Sequence, residues 1–211
     1  MENSVIYTIG HSTHHHDYFL ELLGEYGVNC IIDVRSVAAS SYNPQYNQEP
    51  LRNFLKNNKI KYLHFADEFG ARQTDPDLLN PEGKVDFVKM RKSWAFNNGL
   101  ERIRQILDKG DVLAIMCSES EPIDCHRFSM VSVGLEDDGF DVRHILKDKS
   151  IKTNEELKDE LLIKYKKKLP QIDLFNPGIT KESQLKVAYQ LKNQEIGFSP
   201  HSIIKKEDDY D

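Results

Sequence analysis

Short apolar runs alternate with helically periodic stretches through most of this 211-residue chain. Continuous apolar runs of this length are typical of strands that are buried on both faces of a parallel sheet. The regular alternation predicts an α/β fold, in which a mainly parallel sheet carries helices on both faces in a Rossmann-like three-layer arrangement. The predicted strands cover residues 5–9, 30–34, 60–65, 112–116 and 142–146.

The C-terminal part is more highly charged and is predicted to be a separate extension. We expect residues 1–150 to form the α/β domain and residues 151–211 to form a charged helical extension, whose acidic end is predicted to be disordered. The principal predicted helices cover residues 17–26, 85–107 with an interruption near 97–99, 122–135, 152–168 and 181–194.

Composition limits the classes of function. The net charge is −6, from 28 basic and 34 acidic residues, so the chain has no overall basic excess for binding nucleic acid by charge alone. No apolar run has the length of a membrane span, and no signal peptide is recognisable at the start. The three cysteines are an odd number, and Cys30 is predicted to be a small buried residue. We therefore expect a cytoplasmic protein without membrane contact.

Ionisable side chains follow four of the predicted strands at the point where each strand ends. In an open parallel sheet these ends share one edge, where ligands bind. The polar residues there are His11 and Ser12 after the first strand, Asp33, Arg35 and Ser36 after the second, Glu68 after the third, and Cys117 and Glu119 after the fourth.

Each of these features also has a purely structural explanation. His11 and Ser12 could cap the first helix, Asp33 and Arg35 could form an ion pair between loops, and Glu119 could be a favourable charge near a helix start. Their shared position at one edge favours a binding or active site.

The segment from Cys117 to Arg127 is the most chemically distinctive, and it leaves three alternatives. Two observations argue against a zinc site. The spacing between Cys117 and Cys125 is long for zinc ligands, and the adjacent residues Cys125 and His126 would point about 100° apart on a helix. A nucleophilic thiolate at Cys125 would be favoured by a helix start and by Arg127. Binding of phosphate or carboxylate by Arg35 and Arg127 is the third alternative.

These considerations assign roles to particular residues. The catalytic candidates are His11, Asp33, Glu119, Cys125 and His126. The ligand-binding candidates are Ser12, Arg35, Ser36, Asn43, Glu68, Cys117 and Arg127. No residue is assigned as a metal ligand, although a divalent metal at Asp33, Glu68 and Glu119 stays open, and the cofactor is left undetermined.

Four sets of residues form motifs that occur in order along the chain. They are Thr8-Ile9-Gly10-His11-Ser12, Asp33-Val34-Arg35-Ser36, Ser41 with Asn43-Pro44, and Cys117-Ser118-Glu119 with Cys125-His126-Arg127. These motifs resemble those of the domain of unknown function 488 family. The resemblance covers residues 5–146, with a departure at Phe69-Gly70-Ala71, where many relatives have Leu-Gly-Gly. It implies an α/β domain with a shared polar site, and it implies no particular reaction.

A short segment of the extension is similar to the peptide with which bacterial polymerases and repair proteins dock on the DNA sliding clamp. In Gln171-Ile172-Asp173-Leu174-Phe175, the side chains of Leu174 and Phe175 would fill an apolar pocket while Gln171 forms hydrogen bonds. The alternative is that Leu174 and Phe175 pack back onto the domain.

Three functions follow as hypotheses from the sequence. The first is an enzyme or ligand-binding domain for a phosphate-bearing, nucleotide or nucleic-acid substrate, linked to DNA metabolism. The second is a thiol-dependent redox or transfer enzyme that uses Cys125. The third is a non-catalytic adaptor that docks on a replication or repair partner.

Overall fold

Within residues 4–171 and 178–200, which a computed structural model describes, six strands form one open sheet. The order is β3-β2-β4-β1-β5-β6, in which β1 to β5 are parallel and β6 is antiparallel to β5. The strands are β1 (Val5–Gly10), β2 (Cys30–Asp33), β3 (Lys61–His64), β4 (Leu113–Cys117), β5 (Asp141–Ile145) and β6 (Ile151–Thr153). The predicted α/β class is confirmed, and β6 is an additional strand.

Helices cover both faces of the sheet, as predicted. They are α1 (His16–Glu25), α2 (Gln48–Asn57), α3 (Ala66–Phe69), α4 (Phe87–Lys92), α5 (Trp94–Leu107), α6 (Val133–Asp137), α7 (Asn154–Tyr165) and α8 (Lys181–Ile196). Helices α1 and α2 pack on one face, and α3 to α6 pack on the other. Successive side chains of β2 alternate between the two faces of the sheet. Ile31 packs in the layer of α1 and α2, and Ile32 packs in the layer of α3 to α6.

The predicted interruption near residues 97–99 is wrong, because α5 runs through it without a break. The break lies at Ser93, whose hydroxyl accepts a hydrogen bond from the Phe96 amide and starts the helix. Gly99 instead allows a close approach of α3. A Cβ added there would lie 2.7 Å from the ring of Phe69.

The single helix predicted over residues 122–135 is also wrong, since the segment consists of three pieces. A 3₁₀ turn (Pro122–Asp124) is followed by Cys125 in extended conformation, then by a π-helical stretch (Arg127–Ser132) and by α6. The Ser132 hydroxyl donates to the carbonyl of Arg127 within this stretch. The extended backbone at Cys125 decides where that side chain points.

The strand order creates a crevice between β1 and β4. These strands are neighbours, yet the helix after β1 lies on one face of the sheet and the helices after β4 lie on the other. The chain therefore diverges at their carboxyl ends, which is the position where open α/β sheets bind ligands.

The extension packs against the π-helical stretch. Leu157 and Leu161 of α7 and Ala188 of α8 form an apolar cluster with Phe128. The predicted boundary at residue 150 stays a prediction, and the acidic end at 207–211 lies outside the described residues. No helix in residues 4–171 or 178–200 is both long and apolar enough to cross a membrane.

Candidate functional site

Two thiols, a carboxylate and an imidazole meet at the carboxyl end of β4. The Sγ atoms of Cys117 and Cys125 lie 2.9 and 3.0 Å from the same oxygen, Oε2 of Glu119. The Nδ1 atom of His126 lies 3.8 Å from Cys117 Sγ and 3.7 Å from Cys125 Sγ. Both cysteines are almost fully buried. We call these four residues the thiol cluster.

A buried arginine holds the loop that carries the thiol cluster. The Arg127 side chain has no exposed surface, and its guanidinium donates to the backbone carbonyls of Glu119 at 2.7 Å and Ser120 at 2.9 Å. The same loop crosses β1 at Gly10, where an added Cβ would lie only 1.8 Å from the Glu119 carbonyl oxygen. Gly10 therefore allows the close approach of the loop, and Arg127 holds the loop by hydrogen bonds.

A second buried network lies beside the cluster at the ends of β1 and β2. The Arg35 guanidinium donates to both carboxylate oxygens of Asp33, at 2.9 and 2.5 Å, and to the Tyr46 carbonyl at 2.9 Å. Its Nη1 lies 3.1 Å from His11 Nε2, and Tyr62 donates to Asp33 at 2.7 Å. Asp33 and Arg35 thus form a neutralised pair with few unused hydrogen-bonding groups.

The His11 ring is held in its neutral form. Burial, followed by the charge of Arg35, lowers the pKa of His11 to about 4. Because Arg35 donates to Nε2, the proton sits on Nδ1 and is donated to the Ser12 carbonyl at 2.8 Å. The ring also stacks on Tyr46. In this arrangement His11 orients Arg35 and has no free nitrogen for a substrate.

The four residues of the thiol cluster influence one another's ionisation. A hydrogen bond with Cys125, together with burial, raises the pKa of Cys117 well above its ordinary value. Burial alone would raise the pKa of Cys125, but the hydrogen bond from Cys117 and the charges of Arg127 and His126 outweigh it, so that pKa lies well below the ordinary value. Cys125 therefore ionises before Cys117.

The acid and the imidazole of the cluster are shifted as well. Burial and the charge of Cys125 raise the pKa of Glu119. Burial would lower the pKa of His126, but the neighbouring Cys125 outweighs burial and raises it. The cluster can therefore exchange protons among a thiol, a carboxyl and an imidazole.

The thiol cluster forms the floor of an open cleft of about 300 Å³. Its walls come from the loops after β2 and α3 and from the C-terminal end of the described chain. The lining residues are Arg35, Ser36, Val37, Ala71, Arg72, Cys117, Ser118, Glu119, Asp124, Cys125, His126, Ile196 and Phe198.

Six of the predicted site residues line this cleft, and the remaining predicted residues that the structure describes lie elsewhere. The six are Arg35, Ser36, Cys117, Glu119, Cys125 and His126. Those that do not line it are His11, Ser12, Asp33, Asn43, Glu68 and Arg127. Glu68 forms an ion pair with Arg102, and Asn43 starts a 3₁₀ turn.

The proposed docking peptide is described only at its first residue. The Gln171 side chain donates to the carbonyls of Lys166 and Leu169, at 3.1 and 2.9 Å. Leu174 and Phe175 lie outside the described residues.

Two charged residues, Arg72 and Asp124, are among the lining residues that were missed from the sequence. Arg72 lies in a polar loop directly after Phe69-Gly70-Ala71, and nothing in that segment assigned a role to the arginine. Asp124 lies within the singled-out segment and could have been included. Its carboxylate receives hydrogen bonds from Lys164 and from the buried Lys192 at 3.2 and 3.0 Å.

The geometric argument against a shared metal does not hold in the structure. It assumed that Cys125 and His126 lie on one helix. Cys125 is instead extended, with φ of −121° and ψ of 149°. One ligand atom from each of Cys117, Cys125 and His126 lies within 4.8 Å of the other two. The loop at 118–124 brings the two cysteines together in spite of their spacing.

One comparison with known proteins gives a match. A sequence model of the family described as domain of unknown function DUF488 matches residues 15–133, which is more than half of the 211-residue chain. The matched range contains β2, β3 and β4 and the whole thiol cluster. No curated protein and no solved structure matches the chain.

Proposed function

This chain belongs to the family of domain of unknown function DUF488, and we propose that it is an enzyme acting on a small phosphate-bearing or nucleotide-type substrate in the cleft. The observation that carries the proposal is the thiol cluster itself. It places two sulfurs, a carboxylate and an imidazole on the floor of an open cleft, at the edge of the sheet where α/β proteins bind ligands.

Arg72 is the residue that we assign to bind the anionic part of the substrate. The two arginines predicted as anion ligands are occupied, since Arg35 is paired with Asp33 and Arg127 holds backbone carbonyls. Arg72 is exposed at the cleft wall, where its guanidinium lies 5.8 Å from the centre of the Phe198 ring. Within the described residues its guanidinium has no carboxylate partner. An exposed cation beside an aromatic ring suits a phosphate attached to a base.

Glu119 is the proposed acid–base group. Its carboxylate lies in the cleft and contacts both sulfurs, so it can move a proton between either cysteine and a bound substrate. Asp33 and His11 contribute indirectly, because their hydrogen bonds position Arg35, which lines the cleft.

The test uses a panel of nucleotides, sugar phosphates and inorganic phosphate with the full chain. We expect at least one compound to raise the melting temperature of the wild type and to be converted to product. Arg72→Gln should weaken binding about tenfold or more, as expected for the loss of one charged hydrogen bond. Lys56→Gln removes the same charge from the exposed side of α2 and should bind normally.

Glu119→Gln should retain binding and lose turnover. The proposal is refuted if no compound in the panel stabilises the wild type more than it stabilises Arg72→Gln. It is equally refuted if Glu119→Gln turns substrate over at the wild-type rate.

A thiol-dependent transfer reaction at Cys125 is the second candidate. One observation favours it: the Arg127 amide donates to Cys125 Sγ at 3.4 Å, and Nδ1 of His126 lies 3.7 Å from the same sulfur. Alkylation at neutral pH, followed residue by residue by mass spectrometry, tests this candidate. Cys125 should react faster than Cys117, and equal slow rates at both would contradict it.

The adaptor function, the link to DNA metabolism and the cytoplasmic location stay predictions. A peptide covering residues 169–177 should bind the sliding clamp, and the same peptide with Phe175→Ala should not. Failure of the unchanged peptide at high micromolar concentration would exclude clamp docking through this segment.

A further inference from the structure

We propose that Cys117, Cys125 and His126 bind a zinc ion. Zinc binds sulfur at about 2.3 Å and imidazole nitrogen at about 2.0–2.1 Å in tetrahedral sites, so a sulfur and a nitrogen on one ion lie about 3.6 Å apart. The two sulfur–nitrogen distances here are 3.8 and 3.7 Å. Both sulfur–nitrogen pairs are therefore spaced as a zinc ion requires, and all three ligand atoms lie within 4.8 Å of one another.

The imidazole is oriented for a metal by its second nitrogen. His126 Nε2 lies 3.2 Å from the Val34 carbonyl oxygen and donates its proton there. In the neutral ring this leaves the lone pair of Nδ1 directed at the two sulfurs. Metal-binding histidines are commonly fixed by such a bond to a carbonyl or a carboxylate.

The backbone fixes the two sulfurs independently of any metal. Cys117 is the last residue of β4, and its carbonyl accepts a hydrogen bond from the His11 amide at 3.0 Å. Cys125 follows a 3₁₀ turn, and the loop between the cysteines is held by Arg127. Little ordering of the chain is needed when the ion binds, which favours affinity.

The ligand types favour zinc over magnesium or calcium. Two thiolates and one imidazole are soft or borderline ligands, whereas magnesium and calcium prefer oxygen. The sulfurs bind zinc as thiolates and the imidazole binds it as the neutral ring, so binding releases whichever protons these three groups still carry. Glu119 contacts both sulfurs but lies outside the set of three mutually close ligand atoms.

Three protein ligands leave one tetrahedral position for water. That arrangement, unlike a closed structural site, is typical of zinc that activates water for hydrolysis. Glu119 would then accept the proton of the bound water, since its carboxylate contacts both sulfurs and is not one of the three zinc ligands. The inference deepens the proposed function by naming a cofactor for it and displaces the free thiolate of the second candidate. Metal binding itself is measured without substrate, so its failure would leave the Arg72 and Glu119 tests intact.

Zinc binding is tested first on the unmodified chain. Metal-free protein is titrated with zinc, and the bound metal is measured after dialysis and by X-ray absorption. We expect one zinc per chain, with two sulfurs at about 2.3 Å and nitrogen or oxygen at about 2.0–2.1 Å. Absence of bound zinc, or a bound zinc without sulfur neighbours, would overturn the proposal whatever the variants do.

Cobalt(II) provides a second readout that identifies the ligands. The wild type should show a sulfur-to-cobalt charge-transfer band together with visible bands of a tetrahedral ion. Cys117→Ser and Cys125→Ser should each lose at least about half of the sulfur-to-cobalt charge-transfer intensity. His126→Gln should weaken the binding of cobalt(II) about tenfold or more. Circular dichroism shows which variants are folded.

The third cysteine provides the matched control. Cys30 is buried in β2, in the core and not in the cleft. Cys30→Ala removes one thiol and should leave the cobalt spectrum unchanged. Loss of the charge-transfer band in Cys30→Ala, or its full retention in folded Cys125→Ser, would refute the assignment of the ligands.

Discussion

Acid should destabilise this protein through His144, a fully buried residue of β5. The neutral ring is enclosed by two hydrogen bonds: Thr8 donates to Nδ1 at 2.8 Å, and Nε2 donates to the Asn154 side-chain oxygen at 3.0 Å. Burial lowers the pKa of His144 to about 3, and the charge of Arg127 acts in the same direction. A second proton, at Nδ1, would require the Thr8 hydroxyl to give up the hydrogen bond that it donates and to accept one instead.

The size of the effect follows from the two pKa values. The unfolded histidine takes up a proton near pH 6.5, whereas the folded one stays neutral until about pH 3, so between these values the unfolded state binds more protons. Stability is therefore lost as the pH falls through this window. Between about pH 7.5 and about pH 5 the loss from His144 is roughly 2 kcal/mol.

The assay is urea unfolding at a series of pH values, with a chelator present so that no metal titrates. His144→Gln removes the titrating ring and keeps a side chain that can form hydrogen bonds. The variant is less stable than the wild type at neutral pH. Over this pH range, however, the wild type should lose about 2 kcal/mol more unfolding free energy than the variant. Parallel pH profiles for the two proteins would refute the reasoning.

Three further substitutions near the site, and one control in α1, are tested by chemical denaturation. Gly10→Ala should lower the free energy of unfolding by at least about 1–3 kcal/mol, because its Cβ would lie 1.8 Å from a carbonyl oxygen. The control Gly24→Ala has nothing within 4 Å of its added Cβ and should raise the free energy of unfolding by up to about 1 kcal/mol. Equal effects of the two substitutions would contradict this. Asp33→Asn should lose about 3–5 kcal/mol, since it leaves the buried guanidinium of Arg35 unpaired, and a loss below about 1 kcal/mol would show that the pair is not needed. Tyr46→Phe should cost nothing or gain up to about 1 kcal/mol, because within the described residues its buried hydroxyl has no hydrogen-bond partner; a clear loss would reveal one.

The sheet was predictable, and so was the proximity of several residues of the candidate site, because both depend on patterns that are local in the sequence. Apolar runs identified the parallel strands, and the polar residues after them identified the edge. Cys117, Glu119, Cys125 and His126 indeed lie together at that edge.

The roles of the arginines were not predictable, since charge alone does not tell what a guanidinium faces. Arg127 faces backbone carbonyls, and Arg35 faces the carboxylate two residues earlier. The partner of Glu68 is Arg102, 34 residues further along the chain, so only the packing of α3 on α5 reveals it. The extended backbone at Cys125 also depends on tertiary packing, and a single helix was therefore the wrong expectation there.

The contact between the last described helix and the cleft wall restricts how this chain can vary. The Lys192 ammonium of α8 is fully buried and reaches Asp124, which lines the cleft. A shorter homologue that lacks α8 would lose Glu195 together with Lys192, and among the described residues Asp124 would then keep Lys164 as its single cationic partner. We therefore expect natural or engineered truncations to retain Lys164 wherever they retain Asp124.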